Sequence, residues 1–216
     1  MKLFLTIFSI TSLVIGVGVY HSFLEKRDLE AYLADKCKKA EVVGEIETAD
    51  LVGVSGLEEE KLEIYEVLKE KFIQDKDDEA SIWYYHKRWG LKLPKGTGLA
   101  AHLNENGELY LVSHYTGAQS LDHTQILVRV GDQVIDSTLV PRVATPRLAA
   151  QSGEKYEFIR YGGEKDRQIL QLIAENTDKE IWVRFLGDSS FEDMVLDEES
   201  KTAIRESVEM YQLFKS

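Results

Sequence analysis

The sequence predicts an α+β fold: a central antiparallel sheet, helices from both ends of the chain packed on it, and a hydrophobic helix before everything else. Three observations carry that prediction. Between Ser81 and Leu139 the apolar period is two and turn residues recur, the pattern of strands joined by short hairpins. On either side the period returns to that of helices. No crossover helix separates the central strands, so short turns pair them antiparallel and a parallel α/β architecture is disfavoured.

The first element is an uncharged run, residues 3–24, LFLTIFSITSLVIGVGVYHSFL, preceded by Lys2. Twenty such residues in a helix span roughly the 30 Å hydrocarbon layer. The run has no polar face, which argues against a buried soluble helix. Its end, Gly16-Val17-Gly18-Val19-Tyr20, lacks the Ala-x-Ala pattern of signal cleavage. An uncleaved anchor is therefore expected, with the amino terminus inside and the bulk of the chain outside as a single-pass protein. The alternative is a secreted or periplasmic product after cleavage.

Residues 25–216 are expected to form one acidic domain outside the cytoplasm: a helical arm over 25–80, then sheet and helices over 81–216. In the arm, residues 22–40 read as a helix with Leu29, Leu33 and Cys37 on its stripe. Residues 41–54 give a weak strand signal. Ser55-Gly56-Leu57-Glu58 reads as a capping box, opening a helix to about Gln74 whose buried stripe is Leu62, Tyr65, Leu68 and Phe72. Asp75-Lys76-Asp77-Asp78-Glu79 is a charged, solvated stop.

The central strands follow. Ile82 to Trp89 has strong strand propensity. Thr97–Leu103 and Glu108–Tyr115 make a hairpin about Asn106-Gly107, residues of a tight reversed turn. A two-residue turn there puts His102 and His114 on opposite faces; a loop of three or five residues puts them on one. His123–Val130 and Gln133–Leu139 make a second hairpin about Gly131-Asp132, with Ile126, Val128 and Val130 alternating against Gln125, Leu127 and Arg129. Tyr156–Tyr161 is a strand. Glu164–Asn176 is a helix with Ile169, Leu172 and Ile173 inward. Ile181–Leu186 is a strand between two helices, which predicts a covered Trp182. Asp197 caps the final helix, where Ile204, Val208 and Tyr211 face the core.

Composition narrows function mainly by exclusion. The net charge is −12, with 9 Lys/Arg against 18 Asp/Glu over residues 21–80 and 7 against 5 over residues 81–150. So acidic a chain repels polyphosphate, and nucleic acid is not an expected partner. A single cysteine, Cys37, rules out an internal disulfide and Cys-based zinc sites. No cofactor motif is present: Lys95-Gly96-Thr97-Gly98 lacks the P-loop pattern, and Gly53-Val54-Ser55-Gly56 is no nucleophile elbow.

Two groups of residues stand out as binding candidates. Trp83, Tyr85 and Trp89 would share one face of an extended strand, a surface suited to a partner protein or a sugar ring. Arg142 and Arg147 lie in an acid-free, Pro-bracketed segment following the second hairpin, a candidate contact for an anion. His86, His102, His114 and His123, with Asp122, raise metal and hydrolase possibilities, but structural histidines are the simpler reading and no metal or catalytic residue is assigned. The expected function is a membrane-tethered, non-enzymatic binding or accessory protein of the cell envelope. Its partners are the lipid bilayer, through residues 3–24, and an envelope protein or small anionic ligand. The alternative is an exported hydrolase whose site joins His and Asp/Glu residues distant in sequence.

Overall fold

A computed structural model describes residues 59–76, 81–90, 96–141, 147–149 and 154–215, all within the compact unit Thr48–Ser216. The hydrophobic run 3–24, the helix around Cys37, the weak strand at 41–54, the Ser55 capping box and Arg142 lie outside the described residues.

Helix α1 (Glu59–Lys69) leads into β1 (Phe72–Lys76) and β2 (Ile82–His86). The helix was expected to reach Gln74. It stops earlier because residues 72–76 pair with β2, Phe72 opposite His86 and Lys76 opposite Ile82. Tyr65, Leu68 and Phe72 are buried, Phe72 as a strand residue, while Leu62 is exposed. Asp75, expected in a solvated stop, is buried in β1.

Strands β3 (Gly98–Asn104) and β4 (Leu109–Gly117) form the first predicted hairpin, but in a different register. Leu103 pairs with Leu109 and His102 with Tyr110. Asn104 N–H donates to the Glu108 carbonyl, so the loop is Glu105-Asn106-Gly107, three residues long. Gly107 has φ +67°, the left-handed residue that such a loop requires. His102 and His114 consequently share a face instead of opposing each other. The second hairpin, β5 (Gln125–Val130) and β6 (Gln133–Asp136), has the expected two-residue turn, with Val130 opposite Gln133.

The chain continues through β7 (Arg147–Ala149), β8 (Lys155–Tyr161), α2 (Glu164–Glu175), β9 (Ile181–Leu186), β10 (Phe191–Val195) and α3 (Glu198–Lys215). Ile169, Leu172 and Ile173 face inward on α2, and Ile204 and Val208 on α3. Asp197 caps α3, its carboxylate accepting the Ser200 N–H at 2.8 Å. The fold is α+β and antiparallel, but its strands divide into two sheets: β1-β2-β3-β4-β8-β7 and β10-β9-β5-β6. The physical cause lies after β4. Thr124 N–H donates to the Leu186 carbonyl at 3.0 Å, and β5 then pairs with β9 along its length. The edge of β4 is taken by β8 instead.

Helices α2 and α3 pack against each other; α3 covers β3, and α2 covers β4 and reaches β5 and β6. Leu99, Ala101, Leu103, Leu109 and Leu111 from the larger sheet and Ile126, Val128, Val183 and Phe185 from the smaller belong to one core. Burying such side chains contributes about 1.5–3 kcal/mol each.

Candidate functional site

Strand β2 separates the three predicted aromatic residues. Trp83 and Tyr85 share a face of the larger sheet: the Arg160 guanidinium lies 4.6 Å from the Trp83 ring, and Tyr85 meets His102 edge-on at 4.7 Å. Trp89 does not join them. The strand ends at His86, a turn closes with Trp89 N–H on the His86 carbonyl at 3.0 Å, and Trp89 is buried against the His86 ring, 5.6 Å away. Arg147 is not in a loop: it belongs to β7, where its backbone stands opposite Glu157 of β8 in the ladder.

The interior holds a polar chain built from three elements. Ser113 (β4), His123 (before β5) and Glu157 (β8) are each fully buried or nearly so. Ser113 Oγ lies 2.8 Å from His123 Nε2, and His123 Nδ1 lies 2.9 Å from a Glu157 carboxylate oxygen. Glu157 also accepts the backbone N–H groups of Asp122 at 2.9 Å and His123 at 3.1 Å. Burial by itself would raise the Glu157 carboxyl; those donors outweigh it and hold it below its usual range. Tyr161 extends the chain, its hydroxyl 3.3 Å from Ser113 Oγ. The Phe185 ring closes over His123 at 5.5 Å, joining the network to the smaller sheet.

A carboxylate ordering one imidazole nitrogen while the other meets a hydroxyl is the arrangement that activates serine for acyl transfer. Here the hydroxyl is sealed from solvent. In this arrangement the array satisfies buried polar groups and ties the loop before β5 to β4 and β8. His123 was legible as a candidate in the sequence. Ser113 and Glu157 were not, because nothing in their local patterns differs from other strand residues.

A second ionic cluster lies where β2 meets α3. Glu206 accepts Lys71 Nζ at 2.6 Å and lies 2.8 Å from His86 Nε2. His86 Nδ1 accepts the Arg88 N–H at 3.1 Å, a contact that favours the neutral tautomer with its proton on Nε2, facing Glu206. Burial lowers its pKa despite Glu206. Among the described residues, no group of three or more His, Cys, Asp or Glu side chains is placed to hold a metal ion.

The outer face of the smaller sheet is the opposite kind of surface. Strand alternation sends Ile181, Val183 and Phe185 inward and Trp182 and Arg184 outward. Register then lines up Val134, Arg129, Trp182 and Val195 across four strands, beside Asp136, Leu127, Arg184 and Asp193. Trp182, expected to be covered, is 38% exposed; Val134, Val195 and Phe191 are 55%, 43% and 56% exposed. Arg129 lies 5.4 Å from the Trp182 ring, and Arg184 lies 4.2 Å from Phe191. Arg184 also holds Asp193 through two hydrogen bonds of 2.6 and 2.7 Å. A cleft of about 400 Å³ opens among Leu127, Arg129, Val134, Trp182, Arg184 and Asp193. Comparison with protein families, with curated proteins and with solved structures finds no match to this chain.

Proposed function

We propose that this chain is a non-enzymatic binding protein of the cell envelope, tethered to the bilayer by residues 3–24, that docks a partner protein on the outer face of its smaller sheet. One observation carries the reading: that face presents Trp182, Phe191, Val134 and Val195 to solvent, interleaved with Arg129 and Arg184. A solvent-facing antiparallel sheet is ordinarily polar on its wet side, and large apolar side chains exposed together on one sheet face, rimmed by arginine, suit a protein interface. Tryptophan and arginine dominate binding hot spots, and Arg129 suits a carboxylate on the partner.

The test is site-specific photo-crosslinking of the full-length protein in its own cells. Probes at positions 182 and 191 should give one and the same discrete adduct, lost in an Arg129→Glu background. A probe at the exposed Glu209 on α3 should give none. No adduct, or equal adducts at all three positions, overturns the reading.

A second reading, an exported serine hydrolase, is favoured by the spacing of Ser113, His123 and Glu157 and opposed by their burial. A fluorophosphonate probe separates the two. Attack by Ser113 Oγ would expel fluoride and leave its proton on His123; labelling that disappears in Ser113→Ala would establish the hydrolase, and an unlabelled wild-type protein removes it.

A further inference from the structure

We propose that a cavity between the β3–β4 turn, the start of α2 and the end of α3 is a binding site for a small oxyanion. The cavity measures about 240 Å³ and is lined by Glu108, Tyr110, Gly162, Arg167, Tyr211 and Lys215. Arg167 and Lys215 supply the positive charge. Arg167 Nη1 donates to the Gly162 carbonyl at 3.0 Å, which fixes the guanidinium and leaves its other N–H groups for a ligand. The Lys215 stem rests on the bare backbone of Gly107, where an added Cβ would come within 3.2 Å of it, and its ammonium lies 6.0 Å from the Tyr211 ring. Arg160 adds a third cation next to the cavity, 5.6 Å from the Tyr110 ring.

The charge pattern of the chain gives this placement its weight. Lys71, Arg88, Lys165, Arg184, Lys201 and Arg205 each face a carboxylate within ion-pair distance. Among the described residues none does so for Arg160, Arg167 or Lys215, nor for Lys61, Lys76, Lys87, Arg129, Lys155 or Lys179, and of these Arg167 and Lys215 line one cavity together. Glu108, the one acid lining the cavity, already accepts Asn104 Nδ2 at 2.7 Å and the Tyr110 hydroxyl at 3.2 Å. In a protein of net charge −12, two cations against the single carboxylate of Glu108 leave this polar cavity with a local positive balance. A carboxylate or phosphate would complete it with charge-assisted hydrogen bonds. The site shares no residue with the outer face of the smaller sheet, and its success or failure is independent of the docking proposal.

The experiment is a calorimetric titration of the full-length protein with inorganic phosphate and, separately, with succinate, at ionic strength held constant with chloride. Saturable one-to-one binding of at least one probe is expected, and the better probe identifies the oxyanion class. Arg167→Gln and Lys215→Gln should each weaken it about tenfold or more while leaving the ligand-free thermal midpoint in place. Trp182→Ala should bind as the wild type does. The site is refuted by absence of saturable binding to both probes, by unchanged affinity in both charge variants, or by an equal loss in Trp182→Ala. A Lys215 that served only the helix dipole would shift the midpoint and spare the affinity, which also refutes it.

Discussion

Trp182 departs from the covered position that the sequence predicts, whereas His123 is the structural histidine that was the simpler reading. The tryptophan was expected to be a covered core residue whose removal costs about 3–5 kcal/mol. It faces solvent beside Arg129, so Trp182→Ala should cost about 1 kcal/mol or less. His123→Ala strips the Ser113 hydroxyl and the Glu157 carboxylate of a buried partner and should cost on the order of 3 kcal/mol. Urea midpoints decide it; the reverse order would mean that the smaller sheet is wrongly oriented. Histidines also set the pH response. Burial pushes His114 down to about 4, with Arg88 acting in the same direction and the Gly96 carbonyl opposing. His102 is pushed down to about 3 by burial and then Arg160. A histidine whose pKa is lower in the folded chain than in the unfolded one stabilises fully above its unfolded value of about 6.5 and loses that contribution as pH falls toward its folded pKa. Glu157, also lowered, adds to the loss below about pH 4.5. Unfolding free energy should therefore decline steadily from pH 6.5 to pH 4. An imidazole proton shift for His114 with a midpoint above pH 6 would contradict it.

The connection between the two sheets is the decisive element. Residues 118–124 leave β4 and carry Asp122 and His123 into β5. Asp122 itself adopts φ +55°, left-handed backbone that aspartate tolerates better than most residues with a side chain. The loop is held by Glu157 on one side and by Gly187 on the other. A Cβ on Gly187 would fall 2.1 Å from the Leu121 carbonyl oxygen, a backbone atom with no room to withdraw. Gly187→Ala should accordingly push the loop off β9, disturb the Ser113–His123 contact and lower stability by about 2 kcal/mol or more. Gly131→Asn, in a hairpin turn open to solvent but at φ +57°, should lower it by about 1 kcal/mol, less than Gly187→Ala, since asparagine bears positive φ better than most residues with a side chain. Thermal melts of both variants check this, and equal midpoints would remove Gly187 as a packing constraint.

At the scale of the molecule, the chain combines an uncharged segment of membrane-spanning length in its sequence with a folded unit that exposes one apolar, arginine-bearing sheet face. Among the described residues no helix is long and apolar enough to cross a membrane; the proposed tether is residues 3–24. The full-length protein should sediment with membranes and resist alkaline carbonate. Recovery in the soluble fraction would overturn the anchor, and a soluble product beginning near residues 19–23 would indicate cleavage instead.

Local chemistry made much of this legible beforehand. Alternation in Ile126, Val128 and Val130, the Gly131-Asp132 turn, the inward stripe of α2 and the Asp197 cap are decided by neighbours within a few residues, and the structure repeats them. What needed the tertiary structure was whatever depends on partners far along the chain. Whether residues 72–76 finish a helix or begin a strand depends on β2. Whether β5 joins β4 or β9 depends on the Leu186 carbonyl and sixty residues of intervening chain. The side of the sheet on which His102 and His114 meet depends on one extra residue in a turn, because a period of two inverts every side chain with a single step of register. Ser113, His123 and Glu157 come together for the same reason: hydrogen bonding between strands distant in sequence is satisfied only once the whole sheet has formed.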